Sequence, residues 1–89
     1  MKTLDFQNNA EFVEHITRVL KIKPVRIESY SMYVRKHNTL VRIKEYLDTV
    51  NLVAKHSSKY RDINKTNSHY FLDVWVGNNL FTIRCDIKK

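Results

Sequence analysis

Four histidines are the first candidates for acid–base chemistry: His15, His37, His56 and His69. Unperturbed imidazoles change charge near neutral pH, which suits them to proton transfer. Their spacing here matches neither an H-E-x-x-H metal pair nor a nucleophile motif. A single cysteine, Cys85, permits no internal disulfide and no cysteine-based zinc site, and it falls on an apolar strand face where an inert thiol is expected. One glycine cannot build a glycine-rich phosphate loop. The residues therefore imply no cofactor and no metal.

One reaction needs no motif. Metal-independent RNA cleavage takes a general base, a general acid and cations at the phosphate. His37 or Glu28, with Arg35 and Arg42, would supply those roles. Small basic toxin endoribonucleases share this size and charge, but no residue pattern assigns the chain to them, and no residue is assigned as catalytic. His15, on the charged side of a helix, reads as a solvated or capping side chain.

The charge distribution points more strongly to binding. The chain has 89 residues and a net charge of +7. Segment 18–44 carries Arg18, Lys21, Lys23, Arg26, Arg35, Lys36, Arg42 and Lys44 against Glu28 alone, and the remainder sums to zero. Concentrated cations are the electrostatic footprint of polyanion binding, driven by counterion release. Tyr30 and Tyr33 lie within the same segment and offer rings for stacking on bases or packing on sugars. The expected partner is nucleic acid, DNA or RNA, contacted through its phosphates by an accessory or regulatory protein. No helix carries a base-reading Asn/Gln/Arg cluster, so modest sequence specificity is expected. Ile, Lys, Asn, Tyr and Phe total 34 residues. Their A/T-rich codons point to a low-GC origin of the bacterial, plasmid, phage or mobile-element kind.

A second class of function is a protein-interaction module. Either the basic segment docks an acidic partner, or Phe71 and Trp75, with Arg84 nearby, project from the non-core face of a hairpin and form the interface with a homodimer mate or another protein.

These side chains must be positioned by few elements. The length allows one domain over residues 1–89, and no apolar run approaches the roughly 18–20 residues of a membrane span, so a cytoplasmic protein without a membrane partner is expected. Asn8 and Glu11 form a helix-start signature, and Phe12, Val13, Ile16, Val19 and Leu20 share one arc, predicting a helix over 9–22 that Pro24 ends. Residues 25–35 read as a strand whose apolar face switches near Ser29, through a bulge or as two short strands. Leu40, Ile43, Leu47, Val50 and Ala54 predict a second helix over about 39–55, capped by Asn38 or Thr39. Residues 56–68 are polar and aperiodic and read as a loop, with Tyr60 a further aromatic candidate.

The C-terminal residues predict a hairpin about an Asn78–Asn79 turn. That register sets Val76 opposite Phe81, Val74 opposite Ile83, Leu72 opposite Cys85 and Asp73 opposite Arg84. The expected fold is α+β: two helices on a small, mostly antiparallel sheet, in the order α-β-α-loop-β-β.

Overall fold

Two helices lie on one face of a five-stranded mixed sheet, and a separate pair of strands joins the chain's start to its middle. The computed structural model describes residues 2–54 and 62–87. The elements run β1 (Lys2–Leu4), α1 (Asn9–Leu20), β2 (Arg26–Ile27), β3 (Ser31–Val34), α2 (His37–Asp48), β4 (Val50–Leu52), β5 (Asn64–Lys65), β6 (His69–Val76) and β7 (Asn79–Asp86). The main sheet has the order β2-β3-β7-β6-β5, antiparallel except for the β3–β7 pair, and β1 pairs with β4 in parallel. The α+β expectation is met. None of the described helices is long and apolar enough to cross a membrane.

Helix α1 begins as its sequence predicts. The Asn8 side chain accepts from the Glu11 N–H (3.0 Å), while the Glu11 carboxylate accepts from the Gln7 N–H (2.7 Å), satisfying two amides at the helix start. Its end comes earlier than residue 22. Lys21 turns left-handed (φ 55°), and the Lys21 and Ile22 N–H groups both return to the Thr17 carbonyl. Phe12, Val13 and Ile16 are buried, but Val19 is exposed, which removes it from the expected stripe.

The face switch at Ser29 resolves as two short strands, β2 and β3, joined by a turn that the Glu28 N–H closes on the Ser31 carbonyl (2.8 Å). The turn is anchored from a distance. Asn9, buried at the start of α1, donates to the Ser29 carbonyl (2.9 Å).

The second helix is shorter than predicted. It ends at Asp48, and Val50–Leu52 instead forms β4 against β1. Val50 stays buried as the apolar spacing required, but β-strand pairing with Lys2–Leu4 supplies that burial. Neither Asn38 nor Thr39 caps the helix; Lys36 occupies the cap position with no side-chain hydrogen bond.

The hairpin forms with its register moved by two residues. Val74 faces Phe81, Leu72 faces Ile83, Tyr70 faces Cys85 and Val76 faces Asn79. The two-residue turn is Gly77–Asn78, with φ of +59° at Gly77 and no positive φ at Asn78, the type II′ pattern that suits a right-twisted hairpin. A shift of two preserves which side chains share a face, so the core set survives while its partners change. Asp73 accordingly faces Thr82, not Arg84, and accepts a 2.7 Å hydrogen bond from its hydroxyl. Of the stretch 56–68, residues 62–68 contain β5, paired with β6; His56 and Tyr60 lie outside the described residues.

One cluster holds the layers together. Phe12 and Ile16 of α1 and Leu40, Ile43 and Leu47 of α2 meet Met32, Leu72, Val74, Phe81 and Ile83 of the sheet. The Phe12 and Phe81 rings touch edge to face, with centroids 5.7 Å apart.

Candidate nucleic-acid interface

Where β3 leaves the sheet and α2 begins, the chain passes beside the end of α1. Cations from all three places converge there. Lys21, Lys23, Arg35, Lys36 and Arg42 line a cleft of about 330 Å³ together with Ile22, Val34 and Thr39, and no carboxylate is among its lining residues. Local structure explains the convergence. The left-handed turn at Lys21 sinks Ile22 into the core, leaving Lys21 and Lys23 exposed on either side of it. Val34 is buried as the last residue of β3, so Arg35 and Lys36 emerge at the rim. The Cys85 thiol, buried on β7, contacts the Arg35 carbonyl at 3.5 Å.

Arg42 donates from Nη2 to the Leu20 carbonyl (2.6 Å), tying α2 to the last turn of α1. The cleft also meets the start of α2, which has no acid in its first turn. Its macrodipole adds positive potential there, although the Thr39 N–H itself is taken by the Lys36 carbonyl (3.0 Å). Among the described residues, Lys21, Lys23, Arg35 and Lys36 form no ion pair with a carboxylate.

The other predicted cations are placed differently. Arg26 pairs with Glu28 at 3.3 Å, and its guanidinium lies 4.2 Å from the centre of the Tyr33 ring. Lys44 stands between Asp48 (3.6 Å) and Asp62 (3.7 Å). Arg18 is exposed on the last turn of α1 beside His15 and does not line the cleft. Tyr30 is 65% exposed at the tip of the β2–β3 turn, whereas Tyr33 is half-buried on the sheet.

Beside the first cleft lies a second, of about 570 Å³, lined by Val25, Arg26, Tyr33, Val34, Arg35 and Asp86. Val34 and Arg35 belong to both. From there the sheet face away from the helices opens. Arg84 donates from Nη1 to the Tyr33 hydroxyl (3.3 Å) and from Nη2 to His69 Nδ1 (3.1 Å). Accepting at Nδ1 requires that His69 carry no proton on that nitrogen. Phe71 sits across from Arg84, and Trp75 across from Leu80.

Among the described residues, the histidines do not assemble a catalytic set. His37 packs on Tyr70, with ring centroids 4.4 Å apart, while Glu28 is engaged by Arg26 and the Ser31 hydroxyl (3.0 Å). Arg35 and Arg42 share the cleft without either of them. His15 contacts the Tyr46 hydroxyl (2.6 Å) between the helices, and its pKa is lowered, first by burial and then by Arg18 and Lys2. Sequence reasoning missed Thr39 in the cleft and the His69–Arg84 contact. The alternation along β6, in which His69 shares parity with Phe71 and not with Leu72, was the available signal for the latter.

Compared with protein-family models, with curated proteins and with solved structures, the chain has no match in any of the three.

Proposed function

We propose that this protein binds nucleic acid non-catalytically, gripping the phosphate backbone in the cleft formed by Lys21, Lys23, Arg35, Lys36 and Arg42. The observation that carries this reading is the gathering of five cations, from the segment after α1, the β3–α2 junction and α2 itself, around one concavity with no carboxylate among the described residues that line it. A solubilising surface intersperses both signs of charge. A polyanion site separates them, because each phosphate gains most from a cation that no carboxylate already neutralises. The start of α2, without an acidic residue in its first turn, adds the positive end of its macrodipole.

Salt titration of binding tests the reading. Five phosphate contacts give log K against log[salt] a slope of about −4.5 on duplex DNA and about −3.5 on a single strand. Affinity that is flat in salt would remove it. Lys23→Glu with Lys36→Glu should take away about two contacts and flatten the duplex slope to about −2.7.

A second reading rests on a different edge. Val25 and Ile27 are 61% and 54% exposed, beside Tyr30, on and around the terminal strand β2. An exposed apolar sheet edge is suited to pairing with another chain. Sedimentation across ionic strength separates the two: a stable dimer that binds no nucleic acid supports the second.

A further inference from the structure

We infer that the ligand is a single-stranded polynucleotide, with its phosphates in the cleft and its bases laid on the sheet face away from the helices, where Tyr33, Phe71 and Arg84 are partly exposed; this rests on the nucleic-acid reading above. The register places Arg26, Tyr33, Arg84, Phe71 and Asn64 directly across from one another on β2, β3, β7, β6 and β5. They form one transverse row on the face opposite the buried set, on the order of 19 Å wide at normal strand spacing. Four of the five end in an aromatic ring or a guanidinium plane. The row is also bound together: Arg26 lies 4.2 Å and Arg84 5.1 Å from the Tyr33 ring centre, and the His69 and Phe71 rings approach to 5.5 Å.

Charge orients the ligand. Arg84 is held by two neutral acceptors, the Tyr33 hydroxyl and His69 Nδ1, and its buried Nε has no hydrogen-bond partner. Among the described residues no carboxylate pairs with it. Asp73 and Asp86 flank the row, and Glu28 holds Arg26 at its edge. These carboxylates repel phosphates from the sheet but not the uncharged faces of bases. The cleft, free of carboxylates, attracts the backbone, and Arg35 belongs to the walls of both regions. A duplex keeps its bases within the stack and cannot present their faces to a flat row of rings. A single strand can.

The experiment measures anisotropy of short fluorescein-labelled RNA and DNA single strands, and of the same DNA annealed to its complement, against the full-length protein. The result expected is tighter binding of a single strand than of the duplex, by about tenfold for one well-stacked base. Tyr33→Leu and Phe71→Leu should erase that preference while leaving duplex affinity unchanged. Arg26→Lys, an exposed substitution that keeps charge and loses the plane, should lower single-strand affinity alone. The ratio of RNA to DNA single-strand affinity then identifies the sugar preferred.

Equal affinity for single strand and duplex would overturn the inference, as would face variants that weaken both ligands alike. Either result leaves the cleft reading standing, provided Lys23→Glu with Lys36→Glu still weakens binding. If that pair has no effect, or neither ligand binds, the underlying reading fails and takes this inference with it.

Discussion

The cleft and the open sheet face hold similar residues in opposite circumstances. Both are rich in cations, yet among the described residues Lys21, Lys23, Arg35 and Lys36 lack carboxylate partners, whereas Arg26 and Arg84 are engaged with Glu28, Tyr33 and His69. The difference follows from the elements beneath. Apart from Arg42, which lies within α2 and donates to the Leu20 carbonyl, the cleft cations lie at or just beyond element ends, where the backbone turns away from the sheet. Residues on the sheet face have neighbours across strands about 4.8 Å away, and long side chains meet there. Charge at element ends is available to a ligand, while charge on the sheet first serves the sheet.

The largest effect comes from removing what both regions share. Phe81→Ala should cost about 3–5 kcal/mol in urea unfolding, against a total of about 4–13 kcal/mol for this length. Loss of binding should track loss of fold in both regions. If binding persisted in an unfolded chain, the cleft would be dispensable and net charge alone would account for affinity.

Charge matched by location gives the next largest effect. Lys36→Gln and Lys44→Gln remove the same formal charge, but Lys44 already faces Asp48 and Asp62. The first should flatten the salt slope on duplex DNA by about 0.9 and the second should leave it nearly unchanged. Equal losses would dissolve the distinction between cleft and surroundings.

Lys21 allows stability and binding to be driven apart at one position. A lysine at φ 55° carries a steric cost of about 1–2 kcal/mol that glycine lacks. Lys21→Gly should therefore raise the thermal midpoint while weakening nucleic-acid binding. A fall in both would show that the lysine stem packs as part of the fold.

The smallest effect is a pH dependence away from both regions. The lowered pKa of His15 means that the unfolded chain binds its proton first as pH falls. Its contribution to stability is complete above the unfolded value near 6.5 and is lost as pH drops from there towards the lower folded value. Urea midpoints should fall across that window in the native protein and less so in His15→Gln, with the cleft's salt slope unaffected.

Much of this arrangement was legible in the sequence where one element's own periodicity fixed it. Helix α1, the buried set of the hairpin and the excess charge of residues 18–44 needed no tertiary information. The failures fall where two distant segments compete. Val50 fits a helical stripe as well as a buried strand, and only the parallel partner Lys2–Leu4 decides between them. In the hairpin, Asn78–Asn79 and Gly77–Asn78 are both reasonable turns; the positive φ open to glycine, and its bridge to Ala54, select the second.

The candidate site divides in the same way. Its cations could be named from composition, but which of them meet depends on the left-handed turn at Lys21 and the burial of Ile22. Lys44 could be set apart only in part: Asp48 stands at i,i+4 on the same helix, whereas Asp62, eighteen positions later, meets it only in three dimensions.

The parallel joining of β3 to β7 also has a bearing on when the molecule becomes able to act. Ser31–Val34 lies against Thr82–Cys85, so the strand that delivers Arg35 to the cleft is seated by a segment translated about fifty residues later. From residue 44 until Thr82–Cys85 has been made, a nascent chain therefore carries its whole positive segment without the concavity that organises it. Grip on a polyanion should emerge abruptly with the last strand, and a chain stopped before it would have all five cleft cations but no fixed arrangement for them.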